Sequence, residues 1–506
     1  MRNLRRVLLT ALLTVPVLGF QLSSAQSTDL TVLETQFTQN PTLENSVLLG
    51  QAYLNAGRTA DAVKAFEEAI RKSYNSYEAH FGLGVALFQL NNLSGAQFEF
   101  QQLTAINPNL IQGYYNLGAV YTRQGKTTEA LATYQKAIEV GKANSASPEE
   151  LTLAYTQLAR LQSTEGKHTE ARTAYEEALK LNPQSESLML SIAQEALAAS
   201  ASSPDPLAAT ISLSYAYQIL AKNPAQADAT LVVADNFVNQ GLSDRALREL
   251  DKGLAASKDN ASRVKLLIRK AELQERTSVK EALSTYAEVV SLDSRSPARY
   301  NYARLLLASK KPQEAQKLYQ QLVNENPTDV AYLGLAQSQE ALKQYALAYD
   351  AALNAARLSK DVAFQANART LAARNAYRAK QYKQAITSVQ GIPTPNAEAL
   401  NWAGLSAYVL KDYAKAVEFL DAALKLDPQN QTVMLNLGAS YLILKRYNEA
   451  EQVLSSLVAA NDKNAEGWYN YGIALRALGD ETSAKLAFQR ALNLGYTRAK
   501  GALGGK

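Results

Sequence analysis

The sequence has no cysteine, only two histidines (His80 and His168), three methionines and two tryptophans in 506 residues. Without cysteine there can be no disulfide, no thiol nucleophile, no thiolate metal site and no lipid-bearing cysteine. Neither histidine has a second one at metal-ligand spacing, and His-Glu-x-x-His does not occur, which excludes the zinc-protease pattern. Gly82-Leu83-Gly84 lacks the third glycine of a dinucleotide loop, the Walker pattern is absent, and Gly501 to Lys506 is a glycine-rich tail. A strong charge of one sign is missing too. Of the 52 basic residues behind the formal net charge of +5, three (Arg2, Arg5 and Arg6) lie in a segment expected to be removed. The remainder is close to neutral and carries no electrostatic footprint for nucleic acid. Beyond Phe20 no apolar run approaches the roughly 20 residues that cross a bilayer, so no stable membrane insertion is expected.

What is present is the composition of a folded protein, 47% apolar and 20% charged, on a chain too long for one ordinary core. Several domains or a repeat array are the two solutions. The N-terminus reads as an address. A basic stretch to Arg6, an apolar run from Val7 to Phe20 and the small residues Ser23-Ser24-Ala25 make the three parts of a secretory signal over residues 1–25. Export to the periplasm or cell envelope is therefore expected, with the mature chain beginning near Gln26 and soluble after cleavage.

Self-similarity organises the rest. Ala96 lies twelve residues after Gly84, Phe100 sixteen and Pro108 twenty-four, and the pattern restarts 34 residues on at Leu117-Gly118, with Tyr121, Ala130, Tyr134 and Ala137. It recurs as Leu158-Ala159, Ala171, Tyr175, Ala178 and Pro183, then Tyr302-Ala303, Ala315, Tyr319 and Pro327. Gly404, Ala416 and Ala423, Gly438, Tyr441 and Ala450, and Trp468, Gly472, Ala484, Phe488 and Ala491 close the series. Each unit reads as two amphipathic helices joined by a turn such as Gln124-Gly125-Lys126. Small residues such as Gly84 and Ala96 stand where the helices approach, and a proline such as Pro108 ends the second helix.

This pattern resembles the tetratricopeptide repeat (TPR). The resemblance implies an all-α, right-handed superhelix of about thirteen helix-turn-helix units and a role in binding other proteins. Units are expected to start near residues 43, 77, 111, 152, 186, 227, 263, 296, 329, 366, 397, 431 and 465, after a capping helix within 26–42. Three blocks (43–199, 207–390 and 397–498) are separated by an inserted loop at 200–206 and a linker at 391–396, and 499–506 is read as a tail.

No catalytic, cofactor-binding or metal-binding residue is assigned. His80 takes the place of Trp468 in the last unit and reads as core; His168 falls in a turn. Tyr345, Tyr382, Tyr413 and Tyr447 share one offset before the second helix and read as repeat residues. In a TPR superhelix the first helices line a concave groove that takes extended or helical segments of partner proteins. The inward-facing apolar residues there are Val47, Phe81, Val85, Phe88 and Tyr115 in the first three units and Leu435, Leu442, Tyr469 and Ile473 in the last three. Asp235, Arg304, Arg374 and Arg378 give the middle a polar lining. The competing reading is that the apolar ones pack against neighbouring helices. The family's carboxylate clamp is not met: around Asn116, the residues Phe81, Val85, Leu153 and Thr156 stand where its Lys, Asn and Arg belong. The resulting expectation is a non-catalytic scaffold or adaptor of the cell envelope, against a self-associating structural component or a regulatory subunit of an envelope enzyme.

Overall fold

Helix starts are set locally by side chains that satisfy the free N–H groups of the first turn. Ser76 accepts from the Ala79 N–H, Thr328 from Ala331 and Asn464 from Gly467. At Ser147 the cap is reciprocal with Glu150, and Pro148 occupies the first helical position. Turns are equally explicit. Gly125 adopts φ 74°, and the Lys126 N–H returns to the Tyr121 carbonyl at 2.9 Å, closing helix Ile111–Arg123 before Thr127–Ala143 begins.

In the computed structural model, residues 30–202 and 206–503 are described; the expected signal segment lies outside them. Among the described residues there are only helices: thirteen antiparallel hairpins run from Leu43–Asn55 with Thr59–Lys72 to Ala465–Ala477 with Glu481–Asn493. Helix Leu30–Gln39 precedes the series and Ala499–Leu503 follows it. By internal packing the chain divides into two compact units, residues 1–270 and 271–506.

Within each unit the recurring contact is a notch. A Cβ built on Gly84 would lie 2.6 Å from the Phe100 ring, on Gly334 2.2 Å from Tyr319, and on Gly472 2.7 Å from Phe488. The glycine of the first helix thus makes room for a large side chain of a second helix, sixteen residues later at Gly84 and Gly472 and fifteen residues earlier at Gly334. Phe100 and Tyr134 are fully buried, each worth about 1.5–3 kcal/mol of burial. Cores run from repeat to repeat: Ile111, Tyr134, Leu158, Tyr175 and Ile192 form one cluster in the first unit, and Val389, Leu400, Leu420, Leu437 and Leu454 one in the second.

Four repeat starts differ from the expected positions. Helices Pro148–Thr164, Asn260–Thr277 and Val362–Arg378 begin three or four residues early, because Ser147, Asp259 and Asp361 supply caps upstream of the repeat residues. Arg299–Ala308 begins three residues late, after the Ser296-Pro297 turn. The first helix of the fifth repeat extends to Ser202, so residues 200–202 are helical where a loop was expected. The linker at 391–396 does not divide the fold, since Ile392 is buried in the cluster that holds Val389 and Leu400. The expected tail also needs correction. Ala499 is buried, Tyr496 and Leu503 pack against the cluster that holds Leu475 and Phe488, and the Arg476 guanidinium donates to the Ala502 carbonyl at 2.7 Å.

Candidate protein-interaction surface

Several neighbouring first helices, such as Leu43–Asn55 with Tyr77–Gln89 and Val362–Arg378 with Ala397–Val409, lie close together, and this seam decides what is available to a partner. In the first three repeats it is closed by apolar packing. Val47, Phe81, Phe88 and Tyr115 are all buried, Tyr115 completely. Phe81 stacks on Tyr77 at 6.4 Å, Tyr115 meets Tyr134 edge-on at 5.6 Å, and the Arg123 guanidinium of the next repeat covers Phe88 at 5.1 Å. These four residues are core, which corrects the expectation of an open apolar strip there. Phe88 is covered in this way by the first helix of the following repeat. Val85 is half-buried against the same core.

The last repeats are more open. Leu435 and Leu442 are half-buried at the margin of their cluster. Ile473 is likewise half-buried, while Tyr469 is held by Phe488 at 5.7 Å and Tyr496 at 4.9 Å.

The charged lining is already paired. In the first unit Asp235 receives Arg269 at 2.7 Å and Asp228 receives Lys265 at 2.9 Å. Burial raises the Asp235 carboxyl above its ordinary range, with Arg269 pulling the other way. In the second unit Arg304 bonds Glu275. Arg374 grips both oxygens of Glu340 at 2.8 and 3.0 Å and reaches Glu398 at 3.1 Å. Arg378 adds a third bond to Glu340 at 2.8 Å and lies over the Tyr345 and Trp402 rings. Glu275, Glu340 and Glu398 were not singled out from the sequence. Their signal was there: opposite charges one repeat apart, as in Glu340 and Arg374, 34 residues apart.

A cavity of about 570 Å³ opens between helices Glu186–Ser202, Pro206–Lys222 and Ala227–Asn239, and the described residues that line it, among them Ala209, Thr210, Leu213, Asn236 and Gln240, carry no charge. Both histidines are structural donors: His80 bonds Glu99 and the Tyr74 carbonyl, and His168 bonds Glu195. Among the described residues no three His, Asp or Glu side chains converge as a metal site.

Tetratricopeptide-repeat sequence profiles match residues 110–184, 47–110 and 362–431, 275–340 and 410–478, and 465–494. The chain belongs to the tetratricopeptide-repeat family. This TPR chain is similar over 102 residues, at 26% identity, to the heat-shock protein cognate (HSC) co-chaperone sgt12 of Aspergillus fumigatus, covering 20% of the chain and 30% of that protein. Over 96 residues it is 32% identical to the heat shock protein sti1 homolog of Schizosaccharomyces pombe, covering 19% of the chain and 16% of that protein. The TPR chain therefore spans under a third of the length of either relative. A crystal structure of YrrB, a TPR protein with an unusual peptide-binding site, covers 37% of this chain and 98% of its own at 16% identity, with a TM-score of 0.34.

Proposed function

We propose that this TPR chain is a non-catalytic protein-interaction scaffold of the cell envelope, exported and freed of residues 1–25, which holds segments of partner proteins on its first-helix face. The observation that carries the reading is the succession of helical hairpins in each unit, which gives each a repeated first-helix surface. The co-chaperones it resembles over about a hundred residues are consistent with such a role. Because the N-terminal strip is core and the central charges are paired, the docking side chains are Leu435, Leu442 and Ile473, with Val85 as a minor contact. Tyr469 shapes the last repeat, and Arg304, Arg374 and Arg378 set its polar border.

Leu435→Asp with Leu442→Asp is the test. Partner capture from the envelope fraction is expected to fall by about tenfold or more, as for loss of a central apolar contact, with the melting temperature unchanged. A melting temperature that drops together with capture would show the two leucines to be core. Export is tested separately: mass spectrometry of native protein is expected to give a chain beginning near Gln26, and recovery of intact Met1 to Arg6 from that fraction refutes it.

A further inference from the structure

One backbone position separates the two units. In the turn between the helices of a repeat, the second linking residue adopts a left-handed conformation, which non-glycine residues occupy uncommonly. The first unit fills it with Gly57, Asn91, Gly125, Gly166 and Gly241. The second fills it in five consecutive repeats with lysine, at Lys310, Lys343, Lys380, Lys411 and Lys445 (φ 59 to 64°), and returns to glycine at Gly479. Five strained turns in a row carry the same charged residue where glycine, with no Cβ, folds more easily. An outlier of this kind points to use rather than to stability.

All five lysines are exposed, and among the described residues none has a carboxylate partner. The acids beside them are engaged: Glu314 with Lys311, Glu449 with Arg446, and Asp412 as the cap on the Lys415 N–H. In four of the turns a tyrosine follows two residues later (Tyr345, Tyr382, Tyr413 and Tyr447), each half-buried.

We propose that this edge of the second unit is a binding row for an acidic, extended segment of a partner protein with Asp or Glu at every third residue. The spacing follows from packing. Taking the roughly 8–10 Å between packed helices as the step from one turn to the next, and about 3.3 Å per residue for an extended chain, three residues carry it from one lysine to the next. Five lysines span about thirteen residues of such a segment. The proposal rests on the scaffold reading and names a second surface and the chemistry of its ligand.

The test uses the full mature chain and a fluorescent 15-residue peptide with Asp at every third position, beside a peptide of equal composition with its Asp residues clustered. Binding of the spaced peptide that weakens with salt, and weaker binding of the clustered one, is expected. Lys→Gly at all five positions should weaken binding about a hundredfold, since each exposed pair contributes a few-fold. Its melting temperature should hold or rise, because glycine takes the left-handed turn freely. Lys→Arg at all five should retain binding. Unchanged binding in the glycine variant overturns the row, and equal binding of both peptides overturns the spacing. Tighter binding of anionic vesicles or single-stranded DNA than of the peptide overturns the protein partner. If wild-type chain ignores the peptide yet captures its partner in the envelope pull-down, the row falls and the scaffold reading stands. Peptide binding without any partner capture has the opposite meaning.

Discussion

Gly82→Val is expected to destabilise the first unit by about 3 kcal/mol or more, at the upper end of what overpacking costs. The reason is a shared ring. A Cβ on Gly82 would lie 2.2 Å from Phe66, and one on Gly50 2.7 Å from the same ring, so Phe66 sits between the first helices of two successive repeats with glycine on both sides. Phe66 is buried and belongs to a cluster with Val47, Ala79 and Leu83, so it cannot swing aside into water. Phe66→Ala alone should cost about 3–5 kcal/mol by leaving a cavity. Gly82→Val combined with Phe66→Ala should be more stable than the sum of the two losses predicts, because the valine fills part of that cavity. Urea denaturation of the four proteins gives the coupling directly. Additive losses would mean that the ring and the glycine do not share space in solution.

The second expected result concerns His80 and Glu99. The His80 Nε2 lies 2.7 Å from the Tyr74 carbonyl, six residues back, and the Trp468 indole N–H donates to the Asp462 carbonyl at 2.9 Å, also six residues back. An indole can only donate and a carbonyl only accept, so both rings tie down the preceding turn in the same way. With Nε2 donating, His80 Nδ1 faces Glu99 Oε2 at 2.6 Å, and the buried pair is satisfied when Nδ1 also carries a proton. Burial lowers the imidazole pKa, but the Glu99 and Tyr74 hydrogen bonds outweigh it and hold the value above the ordinary 6.5.

The sign follows from linkage. A histidine whose folded pKa is raised contributes its full stabilisation below the unfolded value, and that contribution is lost as pH rises through the folded value. Stability of the first unit should therefore decline from about pH 6.5 upwards. Glu99→Gln, which supplies an amide donor to a neutral imidazole, should flatten that decline. His80→Phe, which strands the Glu99 carboxylate, should cost about 3–5 kcal/mol at neutral pH. Denaturant midpoints between pH 6 and 9 check all three, and a wild-type stability that rises across this window would refute the assignment.

Most of the fold was legible because the decisive contacts are local. Gly84 with Phe100, and Gly472 with Phe488, are sixteen residues apart and recur, so periodicity alone exposes them. Helix starts at Pro148 and Val362 were hidden because the added turn carries no repeat residue, although the Ser147 and Glu150 capping pair was readable. The surface was less legible. Whether Phe88 or Tyr115 faces a partner depends on the next repeat, and a single-helix register contains no information about Arg123 closing over Phe88. The paired charges escaped notice for a similar reason: Arg374 reads as a free anchor until Glu340 is placed beside it.

Helix Ala499–Leu503 bears on how the chain is made. Ribosomes add about 5–20 residues per second, so a 34-residue hairpin needs about two to seven seconds to appear. Each hairpin waits with an open flank until the next first helix arrives to cover it. Hairpin Ala465–Ala477 with Glu481–Asn493 is covered differently, by the short helix that follows it. Its flank at Leu475 and Phe488 is closed by Tyr496, Ala499 and Leu503, with Arg476 bonded to the Ala502 carbonyl. A chain cut just before Ala499 would keep that flank open for its whole lifetime, adhesive to any other apolar end it meets.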